Sequence, residues 1–221
     1  PVYGPFRFSI AATGRRLMDC RLTFDENKRY SFDFEAIENA LKDGAKAMLL
    51  CNPHNPVSRL WSREELVRMG EICQRHDVFV IADEIHCEFT NDVAYTPFAS
   101  VSDTQCAVCV SPSKAFNIAG LQIANIIVQN DSMRQAVDRA ININEVCDVN
   151  PFGVIALQAA YTSEGEEWLT QLNEYIYGNS RFVCVLHEVV VVGFPVLCRN
   201  LDSFLLRGVH LISLEDDYHV V

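Results

Sequence analysis

Three clusters of polar residues follow three apolar runs, and each cluster carries a side chain able to do chemistry. Lys114 lies in Ser111-Pro112-Ser113-Lys114, after the run 106–110; Asp83 and His86 lie in Asp83-Glu84-Ile85-His86, after 78–82; Asn55 lies in Asn52-Pro53-His54-Asn55-Pro56, after 45–51. An amine held against apolar walls loses its charge more readily than one in water, and the neutral amine attacks a carbonyl carbon. A carboxylate can hold a proton on a basic ring nitrogen, and the hydroxyls of Ser111 and Ser113 can donate to a phosphate. Taken singly, each residue has an ordinary reading: a surface-loop lysine, a helix cap or surface acid, a turn asparagine. Their shared placement is what distinguishes them.

The elements that position these clusters are legible from apolar periodicity. The runs 45–51, 78–82 and 106–110 have strand length, and 78–82 is apolar on both faces, which suits a mostly parallel sheet with helices on each side. Helical spacing predicts helices over 32–41 with Asp33 as N-cap, over 62–76 with Ser62 and Glu65 as a capping box, and over 132–142, 151–161 and 166–187. A further strand is predicted at 124–128, with short ones at 189–192 and 204–206. Strands alternating with helices indicate an α/β fold. In open α/β sheets ligands bind beyond the carboxyl ends of the strands, so the three clusters are expected to converge.

Composition sets the outer limits. The chain has 221 residues, 49% of them apolar and 10% aromatic, enough for a sizeable core. A formal charge of −11 without a cationic run argues against a nucleic-acid partner. No apolar stretch reaches membrane-span length, and no basic-then-apolar leader opens the chain. Nine cysteines, an odd number lying mostly in apolar segments, read as core thiols of a reducing, cytoplasmic compartment. Cys106 and Cys109 have CxxC spacing but fall within a strand and have no second pair, so core packing outweighs a metal site. The chain starts at Pro1 without an initiator Met, which predicts a piece of a longer protein.

Together Lys114, Asp83, Asn55 and the two serines match what pyridoxal 5'-phosphate asks of a protein: an amine for its aldehyde, a carboxylate for its ring nitrogen, and donors for its phosphate. At this point the sequence resembles the fold type I pyridoxal-phosphate enzymes of the class I/II aminotransferase group, and within them the cystathionine β-lyase and cystalysin type of carbon–sulfur lyase. The resemblance rests on Pro1-Val2-Tyr3, Cys51-Asn52-Pro53-His54-Asn55-Pro56-Val57, Ala82-Asp83-Glu84-Ile85-His86 and the eleven residues from Ser111 to Leu121, and it runs from Pro1 to about Phe182. It implies an aspartate-aminotransferase-like large domain over 1–170, and a linking helix with the start of a small C-terminal domain over 171–221. It also implies that Lys114 is the catalytic Schiff-base lysine, that Asp83 pairs with the ring nitrogen, and that Asn55 donates to the ring's 3-oxygen. His86 lies on that side of the ring, Ser111 and Ser113 bind phosphate, and Tyr3 stacks on the ring face. The implied substrate is an amino acid, and the implied assembly a homodimer.

Some positions depart from the family. Ser58 stands where the family has glycine, which predicts a side chain at a left-handed position. Gln122 stands where many aminotransferases place a phosphate-binding arginine, favouring the lyase subgroup. Counterparts of the family's N-terminal segment and of most of its small domain, with the arginine that grips the substrate carboxylate, are not found; Arg199 and Arg207 match no motif. The expected activity is β-elimination from a sulfur amino acid. The alternatives are transamination, or a cofactor-binding regulatory protein without turnover.

Overall fold

A computed structural model of the chain describes residues 1–190 except 27–28, 91–92, 103–104 and 147, with backbone alone for 183–190. The chain opens with helix α1 (Pro5–Ala12), then a short antiparallel pair, β1 (Thr23–Phe24) and β2 (Tyr30–Ser31). Helix α2 (Phe34–Lys42), strand β3 (Ala47–Cys51), helix α3 (Arg63–Arg75) and strands β4 (Phe79–Asp83) and β5 (Cys106–Val110) follow. Strand β6 (Asn125–Ile127) and helices α4 (Asp131–Ile143), α5 (Pro151–Ala160) and α6 (Ser163–Val190) complete the described chain.

The main sheet has the order β3-β4-β5-β6, parallel through the first three strands and antiparallel at β6. The mixed sheet agrees with the expected α/β class. The helices also stand where the sequence places them. Asp33 accepts the Ala36 amide at 2.9 Å to cap α2, and Ser62 and Glu65 close a reciprocal capping box on α3, satisfying amide donors that the first turn leaves free. The predicted helix over 166–187 begins earlier and ends later, at Val190, so 189–190 are helical where a strand was expected; 191–192 and 204–206 lie outside the described residues.

The core lies on one face of the sheet. Leu50, Val80, Ala82 and Val108 meet Ile37 and Leu41 of α2 and Leu66, Met69, Ile72 and Cys73 of α3, with Trp61 and Phe98 closing the ends. Alternation along β4 turns Phe79, Ile81 and Asp83 to the opposite face, where they are only half buried. Sequence reasoning expected both faces to be covered. Instead α5 packs on α6 and against the turn before β6, where a Cβ on Gly153 would lie 2.8 Å from the Leu121 carbonyl oxygen. That close approach requires glycine.

Of the nine cysteines, the six whose side chains are described (Cys20, Cys51, Cys73, Cys87, Cys106 and Cys109) are free thiols. Burial pushes Cys51 and Cys87 up to about 12 and Cys73 to about 11. Among the described residues no three His, Cys, Asp or Glu side chains could share a metal ion, and no helix is long and apolar enough to cross a membrane.

Candidate active site

Asp83 is the last residue of β4, flanked in register by Cys51 of β3 and Cys109 of β5. In-register neighbours on a parallel sheet project to the same side, so the carboxylate sits between two thiols on the face away from the core. Thiols solvate an anion poorly. Burial accordingly raises the Asp83 pKa, opposed by the Ile85 amide, which donates to Oδ1 at 3.2 Å, and by the charge of Lys114.

Lys114 reaches this position from the turn after β5. The turn is held by the Phe116 amide on the Pro112 carbonyl at 2.9 Å and the Ile118 amide on that of Ser113 at 3.0 Å. Phe116 stacks on Trp168 of α6 at 5.3 Å and meets the Tyr161 ring edge-on at 6.5 Å, fastening the lysine turn to the last helices. The apolar walls expected around Lys114 are not found: the residue is exposed, because its turn projects beyond the sheet end.

His86 is 8% exposed, and its Nδ1 is buried without a hydrogen-bond partner. Desolvation first, and the Lys114 charge second, lower its pKa to about 4, so the ring is neutral at pH 7. The Lys114 amine thus acts on both Asp83 and His86, and these three residues form one electrostatic unit at adjacent strand ends.

Asn55 enters through a turn braced from inside. Its amide donates to Cys51 Sγ at 3.4 Å, that thiol donates to the Pro53 carbonyl at 3.2 Å, and the Trp61 indole donates to the Cys51 carbonyl at 2.9 Å. The prolyl bonds after Asn52 and Asn55 are both cis. Ser58 has φ 52°, the left-handed geometry expected of the family's glycine.

The serines take unequal parts. Ser111 donates its hydroxyl to the Ile123 carbonyl at 2.6 Å and accepts the Ser113 amide at 3.1 Å. A hydroxyl has one proton, so Ser111 braces the lysine turn against the segment before β6 and donates to phosphate only by giving up Ile123. Ser113 is half buried beside it. Tyr3 is 41% exposed and packs edge-on against Phe6 at 5.7 Å.

Sequence reasoning gave no role to Glu84, yet it organises the strand ends. Alternation turns it inward, where it is 0% exposed and accepts from Asn52 Nδ2 at 3.2 Å, from the Phe98 amide at 2.9 Å and from the Tyr95 hydroxyl. Glu88 was likewise unassigned; it accepts the Tyr161 hydroxyl at 2.6 Å, tying the loop after Asp83 to the end of α5. Both depend on partners distant in sequence, and no local pattern marks them.

The family model for aminotransferase class I and II matches residues 1–208. The chain belongs to the aminotransferase class I and II family. Among its relatives in this family, cystathionine beta-lyase PatB of Bacillus subtilis (strain 168) is 41% identical over 184 residues, covering 81% of this chain and 47% of that protein. A cystathionine beta-lyase of Corynebacterium glutamicum is 31% identical over 199 residues, covering 89% and 51%. The crystal structure of the PLP-bound C-S lyase from Staphylococcus hominis superposes with a TM-score of 0.77 at 36% identity, covering 85% of this chain and 48% of that one. The chain spans about half the length of the curated relatives it matches. It therefore carries the class I and II fold over the portion that holds the three strand ends.

Proposed function

We propose that the protein carrying this chain is a pyridoxal-phosphate-dependent carbon–sulfur β-lyase that converts a sulfur amino acid such as cystathionine, with water, into a thiol, pyruvate and ammonia. The observation that carries the reading is the unit of Lys114, Asp83 and His86, in a chain 41% identical to a cystathionine beta-lyase over 184 residues. The residues present suit that cofactor: an accessible amine, a carboxylate between two thiols, and a buried imidazole nitrogen without a protein partner.

When bound, pyridoxal phosphate supplies an aldehyde carbon for the amine and a ring that takes up the electron pair left at the substrate's α-carbon. Lys114 Nζ would take the α-proton and so serve as the catalytic base. The Asp83 carboxylate has one backbone donor and little solvation, so a protonated ring nitrogen is a strongly favoured partner for it. Neutral His86 orients by hydrogen bonding and adds no charge. Asn55 would donate to the ring oxygen, the Ser113 hydroxyl would serve the phosphate, and Tyr3 would cover the ring face. Gln122, with φ 50°, supplies no cation at the end of that turn, which favours elimination over the transaminating subgroup.

A homodimer in the cytoplasm completes the proposal. Phe152 and Ile155 of α5 are exposed large apolar residues of the kind a subunit contact covers, and the described thiols are unpaired.

The experiment is an assay of pyruvate from cystathionine with no keto acid added. Steady pyruvate formation is expected. Turnover that appears only with a keto-acid acceptor establishes the aminotransferase instead, and cofactor binding without either reaction establishes a non-catalytic role.

A further inference from the structure

We infer that His54 is a positioning residue that fastens the segment carrying Tyr3 to the turn carrying Asn55, so that an aromatic ring and an amide approach one ligand as a single unit. This rests on the reading that Tyr3 covers the cofactor ring, and goes beyond it by naming what holds Tyr3 there.

The imidazole Nε2 lies 2.8 Å from the carbonyl oxygen of Pro1. A carbonyl oxygen only accepts, so Nε2 carries the proton and donates it. Nδ1 is then an acceptor and is buried without a hydrogen bond of good geometry, although the Cys51 backbone also lies close enough to act on the ring, so the bond to Pro1 is the well-formed one that the side chain makes.

One end of this link is rigid and the other is not. His54 is 6% exposed, exchanges backbone hydrogen bonds with Arg59 at 2.8 and 3.4 Å, and meets the Trp61 ring edge-on at 5.5 Å. The same turn is braced by Cys51, whose Sγ accepts the Asn55 amide at 3.4 Å. The segment it holds is more lightly anchored: α1 buries none of its residues, its Arg7 pairs with a partly exposed Asp19 at 2.7 Å, and Tyr3 is 41% exposed. A segment with little buried apolar surface opens at small cost, so a single buried hydrogen bond has a large share in placing it. Because His54 and Asn55 are adjacent, movement of one end of the link moves the other.

The test measures the pyridoxal phosphate dissociation constant of the protein by absorbance titration in His54→Phe, His54→Gln, Tyr3→Ala and the double variant His54→Phe with Tyr3→Ala. Phenylalanine keeps a ring against Trp61 and removes the donor, whereas glutamine keeps an N–H at similar reach. Affinity about fivefold weaker is expected for His54→Phe, the share of one hydrogen bond, with near wild-type affinity for His54→Gln. In the Tyr3→Ala background His54→Phe is expected to add nothing, because it acts through Tyr3. Additive losses, or wild-type affinity in His54→Phe, overturn the link while leaving the reading of Tyr3 intact. Wild-type affinity in Tyr3→Ala overturns that reading itself and the link with it. Should His54→Phe not fold, nitrogen NMR of histidine-labelled wild-type protein decides: the proton is expected on Nε2, and a neutral ring protonated at Nδ1 overturns the proposal.

Discussion

Asn52 donates its side-chain amide to Glu84 Oε1 at 3.2 Å, joining the residues that follow β3 to those that follow β4. The same amide also donates to the Thr96 carbonyl at 3.0 Å, so the turn before Asn55, the residue after Asp83 and the loop 95–98 form one buried network. Glu84 has a pKa raised by burial and held back by its three donors. A buried carboxylate of this kind contributes stability only while every partner is present.

Glu84→Ala is expected to cost about 3 kcal/mol, since it removes the acceptor of the Phe98 N–H, of the Tyr95 hydroxyl and of one of the two Asn52 amide protons, the other being held by the Thr96 carbonyl. Glu84→Gln keeps an acceptor on Oε1 for Asn52 and Phe98 and reverses the Tyr95 bond, with the amide donating to the hydroxyl in place of the charged acceptor, at about 1 kcal/mol. Urea melts of the two variants compare them directly. Equal losses would show that the carboxylate's volume, and not its acceptors, is what the site requires.

The acid limb of stability has a defined source. His86 ordinarily titrates at 6.5 and is lowered to about 4, by burial and then by Lys114. Below pH 6.5 the unfolded chain takes up this proton and the folded chain does not, so stability falls from pH 6.5 down to about 4, by about 3 kcal/mol at most. His54, lowered mainly by burial, acts in the same direction. Asp83, Glu84 and Glu88 are raised and act oppositely, contributing below their unfolded values and losing that contribution as pH rises through the folded ones. Comparing melts of wild type and His86→Phe across pH 4 to 7 isolates the histidine: the variant should show a shallower acid decline, and an unchanged slope would contradict the assignment.

Ser58 offers a stabilising change. Its φ of 52° is unfavourable for a side chain, and its buried hydroxyl has no hydrogen-bond partner. Ser58→Gly removes both costs, offset in part by the greater freedom of glycine in the unfolded chain, for a net gain of about 1 kcal/mol. Thermal melting measures it, and a lower melting temperature would mean that the hydroxyl has a role in the turn.

How much of this was legible beforehand varies by element. Strands β3, β4 and β5 were readable because central parallel strands carry continuous apolar runs, and α3 because Ser62 and Glu65 announce its first turn. The reversed direction of β6 was not, since the pattern at Asn125, Ile126 and Ile127 is the same for either pairing. Helix α1 is not legible because it is short and its apolar face amounts to Phe6 and Ile10, neither of them buried. At the site, Lys114 and Asp83 stand out through their position after apolar runs. Glu84 and His54 do not, because their partners, Phe98 and Pro1, lie far away in the chain.

The central claim is that Lys114 is the amine that holds pyridoxal phosphate. Its most direct test is to load the protein with the cofactor, reduce with borohydride, digest, and locate the added pyridoxyl group by mass spectrometry. The label is expected on the peptide containing Lys114 and is expected to vanish in Lys114→Ala. Label on Lys28, Lys42 or Lys46 in place of Lys114, or none on any peptide, would contradict the account.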